Sequence, residues 1–348
     1  MASDLVGAYE NAGAERWRSV LTGEDAPDPE LAESIEGTIP LLRRIDDRGA
    51  SEVHLLYVRS QIDAVAGLVR LGTAPPDVHQ RLLRSLSHMA QLAGWTALEL
   101  GDGQGRGQGR AQRYLLIALR AAHLANDRPL AAHILGDLAY QAATFGRPAE
   151  ASVFATAAER AVRGASALAR ACVLGRVAYA HAAAGDATAF VTARGSALDS
   201  FSGAGKASDA PWAYYLTQQH LTVQMGYSLI ALARSARQAE LGGRTSHLLK
   251  ESAPLMEAAG SQGYGGGRPS SLKAGFELSW VAIGHVHRRD LEAACAAGAD
   301  ALAHYTAAPT ARSHRLLSDL AAMLRRRQTN PHVRDFFPHL ANRLDPTS

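Results

Sequence analysis

Cysteine is scarce in this sequence, and its scarcity excludes one class of protein. The 348 residues contain two cysteines, Cys172 and Cys295, which lie far apart and form no Cys-x-x-Cys pair. Small secreted domains are usually rich in disulfides, and structural zinc sites usually need closely spaced ligands. The sequence therefore predicts neither. Because so few thiols in a long chain indicate a reducing compartment, we expect a cytoplasmic protein.

Long apolar runs are also missing. No stretch of about 18 consecutive apolar residues occurs, so we expect no membrane-spanning helix and no membrane partner. The start of the chain, MASDLVGAYENAGAERWRSV, lacks the basic segment and the apolar block of a secretory signal. We therefore expect that the chain is not exported through such a signal.

The chain has only a small excess of positive charge. The formal net charge is +3, and the one dense basic run is Arg325-Arg326-Arg327. Nucleic-acid-binding proteins usually concentrate basic residues on one face or arm. We interpret this run as the end of a helix, where basic residues interact favourably with the helix macrodipole. We therefore expect no specific binding to nucleic acid.

The residues that are abundant favour helix. Alanine is frequent, β-branched residues are sparse, and 47% of the residues are hydrophobic. This composition favours helix over strand and allows a core. Two Gly-rich segments, residues 101–109 and 260–271, lack the Lys-Ser/Thr ending of a phosphate-binding loop and follow no strand signal. We interpret them as connectors in an all-α chain.

An internal repeat with a period of 39 residues occupies the middle of the chain. Its Leu-Gly step lets two helices approach closely, and a later glycine permits the turn between them. Small residues seven apart lie on the packed face of the second helix. A lone helix pair cannot bury its apolar face, so we expect the pairs to stack. The matching positions are Leu135 with Leu174, Gly136 with Gly175, Tyr140 with Tyr179, Gly146 with Gly185, Ala151 with Phe190, and Ala158 with Ala197.

The repeat pattern resembles the tetratricopeptide repeat, although its period is 39 rather than about 34 residues. Several segments between roughly residues 40 and 340 also resemble the C-terminal sensor region of actinobacterial helix-turn-helix regulators. That family usually carries a DNA-binding domain at its N-terminus. Residues 1–50 here are acidic and interrupted by proline, with no recognisable recognition helix, so the resemblance does not imply DNA binding. The matching segments are LAGWTALELGD, AQRYLLIALRAAHLANDRPLAAHILGDLAYQAATFGRPAEA and DAPWAYYL.

The resemblance implies an architecture. We expect an all-α, right-handed superhelical stack of antiparallel helix pairs, as in tetratricopeptide-repeat proteins. We assign residues 1–72 to an N-terminal helical cap without a helix-turn-helix motif. Residues 73–308 then form the repeats, and residues 309–348 form C-terminal capping helices.

The resemblance also implies which side chains face a binding groove, because the first helix of each tetratricopeptide-like pair lines the concave surface. These positions share one helix face and place an aromatic residue on successive repeats, beside polar groups. Aromatics supply contact area and polar groups orient a ligand. Alternatively, the aromatics pack between repeats. The candidate ligand-binding residues are His88, Trp95, His133, Asp137, Tyr140, Arg176, Tyr179, His220, Gln224 and Tyr227.

Four of these candidates also suit other chemistry. His88, His133, Asp137 and His220 are metal-ligand types, but the chain has no HExxH motif and nothing sets their mutual distances. We therefore predict no metal site. His133 and Asp137 lie four residues apart, so they could form a general acid–base pair. No GxSxG nucleophile motif accompanies them.

Three functions stay open on the sequence alone. The first is a stand-alone regulatory sensor or adaptor that binds a peptide, a partner protein or a small molecule in the groove. The second is an enzyme of specialised metabolism that uses the groove as its active site, with His133 and Asp137 as acid–base residues. The third is a DNA-bound regulator whose reader domain is unrecognised. We favour the first and expect no cofactor, and we leave open the ligand, a homodimer and a DNA-binding partner in trans.

Overall fold

The computed structural model describes residues 18–20, 22–49, 51–101, 109–204, 210–238, 242–267 and 269–344. Within these ranges 82% of the residues are helical and no β-strand occurs. The expectation of an all-α chain is therefore confirmed. None of the helices in these ranges is both long and apolar enough to cross a bilayer.

Parts of the predicted segments lie outside the described residues. These parts are residues 1–17, 21 and 50 of the N-terminal cap, residues 102–108 of the first Gly-rich connector, residues 205–209 and 239–241 of the predicted repeats, and residues 345–348 of the C-terminal cap. The second Gly-rich connector is described except at residue 268, and it contains a short 3₁₀ turn at Tyr264–Gly266. The three domain boundaries stay predictions.

Long helices follow one another along the chain, and most connections between them are short. The first seven are α1 (Pro29–Asp46), α2 (Glu52–Leu71), α3 (Pro76–Glu99), α4 (Arg110–Leu124), α5 (Arg128–Thr144), α6 (Pro148–Ala161) and α7 (Ala167–Ala184). The others are α8 (Ala187–Ser202), α9 (Gln218–Gln238), α10 (Gly242–Leu255), α11 (Ser271–Arg288), α12 (Leu291–Ala307), α13 (Ala311–Leu324) and α14 (Pro331–Leu344).

Consecutive helices pack in neighbouring pairs. Helix α3 packs on α4, α5 on α6, α7 on α8, α9 on α10, and α11 on α12. The first helices of successive pairs also contact each other, so that α5, α7, α9 and α11 form an inner layer. This layer carries most of the candidate residues, because each candidate stripe lies on the first helix of a pair.

The turn between paired helices contains a left-handed glycine in both sequence repeats. Gly146 and Gly185 adopt left-handed backbone conformations, with φ of 71° and 81°. This confirms the prediction for both glycines. After the second turn, the backbone N–H of Asp186 donates to the His181 carbonyl at 3.0 Å. The Asp186 carboxylate then caps α8 by accepting from Ala189 N at 3.0 Å.

Two further turns use this design without glycine. Asn126 and Arg289 are left-handed, with φ of 53° and 66°. Each precedes an aspartate that caps the next helix, Asp127 at α5 and Asp290 at α12. Their carboxylates accept backbone N–H groups at 3.0 and 3.1 Å. The Arg289 turn joins the paired helices α11 and α12, so the structural repeat continues there although the sequence repeat is weak, whereas the Asn126 turn joins α4 to α5, which belong to different pairs.

The predicted close approach at Leu-Gly occurs in one repeat and not in the other. A Cβ added at Gly175 would lie 2.8 Å from Gln224 Oε1 on α9. A Cβ added at Gly136 would lie 3.8 Å from its nearest neighbours, which is ordinary contact. Gly94 on α3 is as tight as Gly175, because its Cβ would lie 2.8 Å from Leu115 Cγ.

The last helices fold back over the inner layer. Helix α13 packs on α11 and also contacts α3. Arg312, in its first turn, pairs with Glu99 at the end of α3 and donates to the Tyr140 hydroxyl at 2.9 Å. The inner surface is therefore covered at this point, and it encloses space there.

Candidate ligand-binding cavity

The inner helices enclose a cavity with about 870 Å³ of empty space, including its open mouth. Its wall comes from α1, α3, α5, α7, α9 and α11, from the start of α13, and from the segment before α9. Aromatic side chains form much of this wall, with charged groups of both signs among them. The aromatic lining residues are Trp95, Tyr140, Trp212, Tyr214, Tyr215, Tyr227, Tyr264 and Phe276.

The candidate aromatics form a continuous row across successive repeats. The ring centroids of Trp95 and Tyr140 lie 5.8 Å apart, and those of Tyr140 and Tyr179 lie 4.9 Å apart. Tyr227 continues the row edge-on at 5.5 Å from Tyr179. Such distances are typical of favourable aromatic pairs. The sequence left open whether these aromatics face a ligand or pack between repeats. In the structure the row packs between repeats and also forms part of the cavity wall.

Arg176 on α7 is the charged centre of the wall next to this row. It pairs with the buried Asp137 carboxylate, whose other oxygen accepts from Gln91 Nε2 at 2.7 Å. Its guanidinium lies 5.3 Å from the ring centroid of Trp95, within cation–π range. Burial raises the pKa of Asp137, and Arg176 and Gln91 oppose this rise. Asp137 thus lies behind the wall and holds Arg176 in place.

His133 lies between Arg176 and an aromatic ring and contacts both. Its Nδ1 accepts from Arg176 Nη1 at 3.0 Å, which leaves the ring proton on Nε2. The ring stacks on Trp212 at a centroid distance of 4.1 Å. Burial, and then Arg176, lower the pKa of His133 well below its usual value. His133 Nε2 lies 3.8 Å from Asp137 Oδ2, beyond hydrogen-bond distance, so this geometry does not favour the acid–base pair.

Arg312 is a second buried arginine in the wall, and it is not among the candidate residues predicted from the sequence. Its guanidinium lies 4.5 Å from the ring centroid of Phe276 and 5.0 Å from that of Trp95. Glu99 supplies the opposing charge. Helix α13 lies outside the repeated segment, so no stripe in the sequence marked this residue.

The segment before α9 supplies a further part of the wall. Tyr214 donates its hydroxyl to Asp47 Oδ1 at 2.7 Å, and Tyr215 lies 2.9 Å from Cys172 Sγ. Asp46 precedes Asp47 in the chain, and its carboxylate accepts from Thr96 Oγ1 at 2.7 Å. Burial raises the pKa of Asp46 to about 7. This carboxyl therefore titrates near neutral pH, and sequence reasoning missed it because nothing local distinguishes it from a surface aspartate.

The opposite part of the wall carries an ion pair and a neutral imidazole. Lys273 Nζ lies 3.6 Å from Glu277 Oε1, and the other Glu277 oxygen accepts from Gly260 N at 2.8 Å. Burial, together with Lys273, lowers the pKa of His220 to about 3. His220 Nδ1 has no hydrogen-bond partner within the described part of the chain. This nitrogen is therefore a buried polar atom without a partner, in a residue that lines the cavity.

The structure brings most of the candidate residues together at this cavity. Of the three that do not line it, Asp137 lies behind Arg176, and Tyr179 borders a separate cavity described below. His88 is the third, with its Nδ1 accepting from Arg43 Nη2 at 3.1 Å. No cluster of three or more metal-ligating side chains occurs among the described residues. The candidates that line the cavity are Trp95, His133, Tyr140, Arg176, His220, Gln224 and Tyr227.

Basic and acidic groups are closely matched at the cavity. Four basic side chains line it, and each has a carboxylate nearby. The remaining acidic group is Asp46, whose pKa is raised by burial to about 7. The matched groups are Arg43 with Asp47, Arg176 with Asp137, Lys273 with Glu277, and Arg312 with Glu99.

Comparison with known proteins does not name the family. No protein-family model matches the sequence, and no curated protein matches it.

Proposed function

We propose that this protein is a stand-alone regulatory sensor or adaptor that binds a small aromatic molecule in the inner cavity. We further propose that its helix pairs form a right-handed, tetratricopeptide-like superhelix. The repeated turns and the inner layer of first helices support this architecture. The functional proposal rests on the aromatic wall of the cavity, which also contains hydrogen-bonding side chains.

The lining of the cavity supports a small molecule, because aromatic and apolar side chains surround a few polar groups, as in other small-molecule sites. Trp95, Trp212 and Tyr264 supply apolar area, and Gln224 and His220 supply hydrogen-bonding groups. A planar ring system with a few polar substituents would use both.

The enclosure of the cavity argues against a peptide or a folded partner as its occupant. Arg312 and Trp212 cover parts of the inner surface that an extended peptide would need. Arg312 is buried and paired with Glu99, so it does not move aside without cost. A compact ligand needs no such rearrangement.

The matched charges support a ligand that is neutral overall or zwitterionic. If the ligand carried a net charge, the cavity wall would offer no unpaired opposite charge to compensate it. Burying such a ligand would therefore cost free energy. An uncharged aromatic ring avoids that cost. Its polar substituents would find His220 Nδ1, which lacks a partner among the described residues.

Tryptophan fluorescence and thermal shift test this proposal directly. We expect neutral planar aromatics, such as flavone and acridone, to quench Trp95 and Trp212 and to raise the melting temperature. Tyr264→Ala should weaken binding by about tenfold, because it removes apolar contact area from the wall. Tyr57→Ala, at a side chain 48% exposed on α2, is the matched control and should bind normally.

Mass spectrometry of the purified protein provides a second test. We expect a small aromatic molecule to copurify with the wild type and to be depleted in Tyr264→Ala. If every aromatic probe stabilises Tyr264→Ala as much as the wild type, the cavity is not the binding site.

An enzyme of specialised metabolism is the second candidate function, and Asp46 is the observation that favours it. A general acid–base group works best when its pKa lies near the working pH, and that of Asp46 lies at about 7 in the cavity wall. An enzyme should convert the bound aromatic molecule, and Asp46→Asn should stop turnover while binding persists. A sensor should return its ligand unchanged.

A further inference from the structure

A second cavity lies on the inner surface and is lined mainly by residues of α5, α7, α9, α11 and α13. Its empty space is about 900 Å³, including open solvent. It shares two wall residues, Phe276 and Arg312, with the first cavity. The two spaces are therefore neighbours, and side chains of α11 and α13 stand between them.

The wall of this second cavity contains a buried donor without an acceptor. Trp280 is 3% exposed, and its indole Nε1 has no hydrogen-bond partner in the described residues. An indole N–H can only donate. Leaving a buried donor unpaired is unfavourable, so a ligand acceptor at this position would be favoured.

The same wall carries an excess of positive charge. Arg234 Nη2 bonds Asp319 Oδ2 at 2.7 Å, and Glu99 compensates Arg312. Arg315 makes no ion pair with any residue that the structure describes. Arg315 lies beside the turn at Gly146, where its Nη2 would be 3.1 Å from an added Cβ. One guanidinium therefore remains uncompensated in the wall that also contains the unpaired indole N–H.

One part of the wall is suited to an apolar body. The rings of Tyr179, Phe276 and Trp280 border the space, together with Leu316. An inorganic anion would leave these surfaces without contact. An organic anion would cover them while its charged group meets the donors.

We propose that this second cavity binds an organic monocarboxylate with an aromatic or branched apolar body. A carboxylate matches the planar guanidinium of Arg315 and accepts from Trp280 Nε1. Its single charge balances the single excess positive charge, whereas a dianion would exceed it. This site is independent of the aromatic ligand proposed for the first cavity.

The test uses benzoate and benzamide, which share a shape and differ in charge. Titration calorimetry on the full chain should give a dissociation constant for benzoate at least about tenfold tighter than for benzamide, because charge-assisted hydrogen bonds are the stronger ones. Arg315→Gln should weaken benzoate binding by about tenfold, and Trp280→Phe by about fivefold. Arg326→Gln removes an exposed positive charge close to the same helix and should leave benzoate binding unchanged.

Two further arms separate this site from the alternatives. Tyr264→Ala, which alters only the first cavity, should leave benzoate binding intact, so failure of one site does not imply failure of the other. Inorganic phosphate should bind more weakly than benzoate. Equal affinity for benzoate and benzamide, tighter binding of phosphate, or full binding by Arg315→Gln would each overturn the proposal.

Discussion

Asp46 couples the stability of the fold to pH. Burial raises its pKa from an ordinary 3.8 to about 7, and nearby Glu99 and Asp47 add to the rise. Between these two values the folded state binds more protons than the unfolded state, so this group makes stability fall as pH rises from about 4 to 7. We expect Asp46→Asn to remove that fall. The variant should be more stable than the wild type at pH 8, by at most on the order of 4 kcal/mol.

Urea denaturation at pH 5 and pH 8 measures this difference. Asparagine keeps a carbonyl that can accept from Thr96 Oγ1, so the packing should survive the change. Asp63→Asn, at an exposed α2 position, is the control and should keep the wild-type fall in stability, because it leaves Asp46 unchanged. Equal destabilisation of Asp46→Asn at both pH values would indicate a packing role and no titration.

Two mid-helix glycines that look alike in sequence should respond in opposite ways to alanine. At Gly94 the new methyl group would lie 2.8 Å from Leu115 Cγ and 3.1 Å from the Ala111 carbonyl oxygen. We expect a loss of about 1–3 kcal/mol, as in other overpacked sites. At Gly136 the nearest atoms lie at 3.8 Å, and alanine should gain up to about 1 kcal/mol from its helix propensity. Denaturant unfolding measures the stability of the two variants, and a loss of stability for Gly136→Ala would contradict the prediction.

At the scale of the element, the left-handed turn residue determines how two helices join. Gly185 has φ of 81°, a conformation that β-branched residues adopt only with strain. We expect Gly185→Val to destabilise the protein by about 1–2 kcal/mol. Gly185→Asn should cost less, because Asn126 already occupies an equivalent conformation. The melting temperatures of the two variants test this, and a wild-type value for Gly185→Val would mean that the turn is not under conformational constraint.

Some features of these elements could be predicted from the sequence, and others could not. Gly146 and Gly185 could be predicted as left-handed turns, because a turn imposes a local backbone requirement. The stripe of Trp95, Tyr140 and Tyr179 could be predicted to share a face, because helical spacing is also local. Arg312 could not be predicted at the cavity, since its place depends on how α13 packs across distant helices. The same holds for the altered pKa of a buried carboxyl, which depends on tertiary burial.

At the scale of the whole molecule, the Arg312–Glu99 pair joins the last part of the chain to α3. Both side chains are buried, with relative exposures of 6% and 2%. Removing the cation in Arg312→Met leaves a buried carboxylate without its partner, so we expect a loss of about 3–5 kcal/mol in urea denaturation. Adding Glu99→Gln should recover part of that loss.

An exposed pair supplies the control for this measurement. Arg59 and Asp63 lie on α2 with side chains 61% and 71% exposed. Arg59→Met should cost less than about 1 kcal/mol. Similar losses for the exposed and the buried pair would show that α13 is held to α3 by its apolar contacts.

The position of Arg312 has a consequence for the order of events during synthesis. Arg312 and its hydrogen-bond partner Tyr140 are 172 residues apart in sequence. Helices α3 to α9 can pack as they leave the ribosome, because each contacts near neighbours. The cavity wall is completed only when α13 has emerged. A nascent chain therefore carries the aromatic row well before it can enclose a ligand, and recognition begins only when nearly the whole protein has been made.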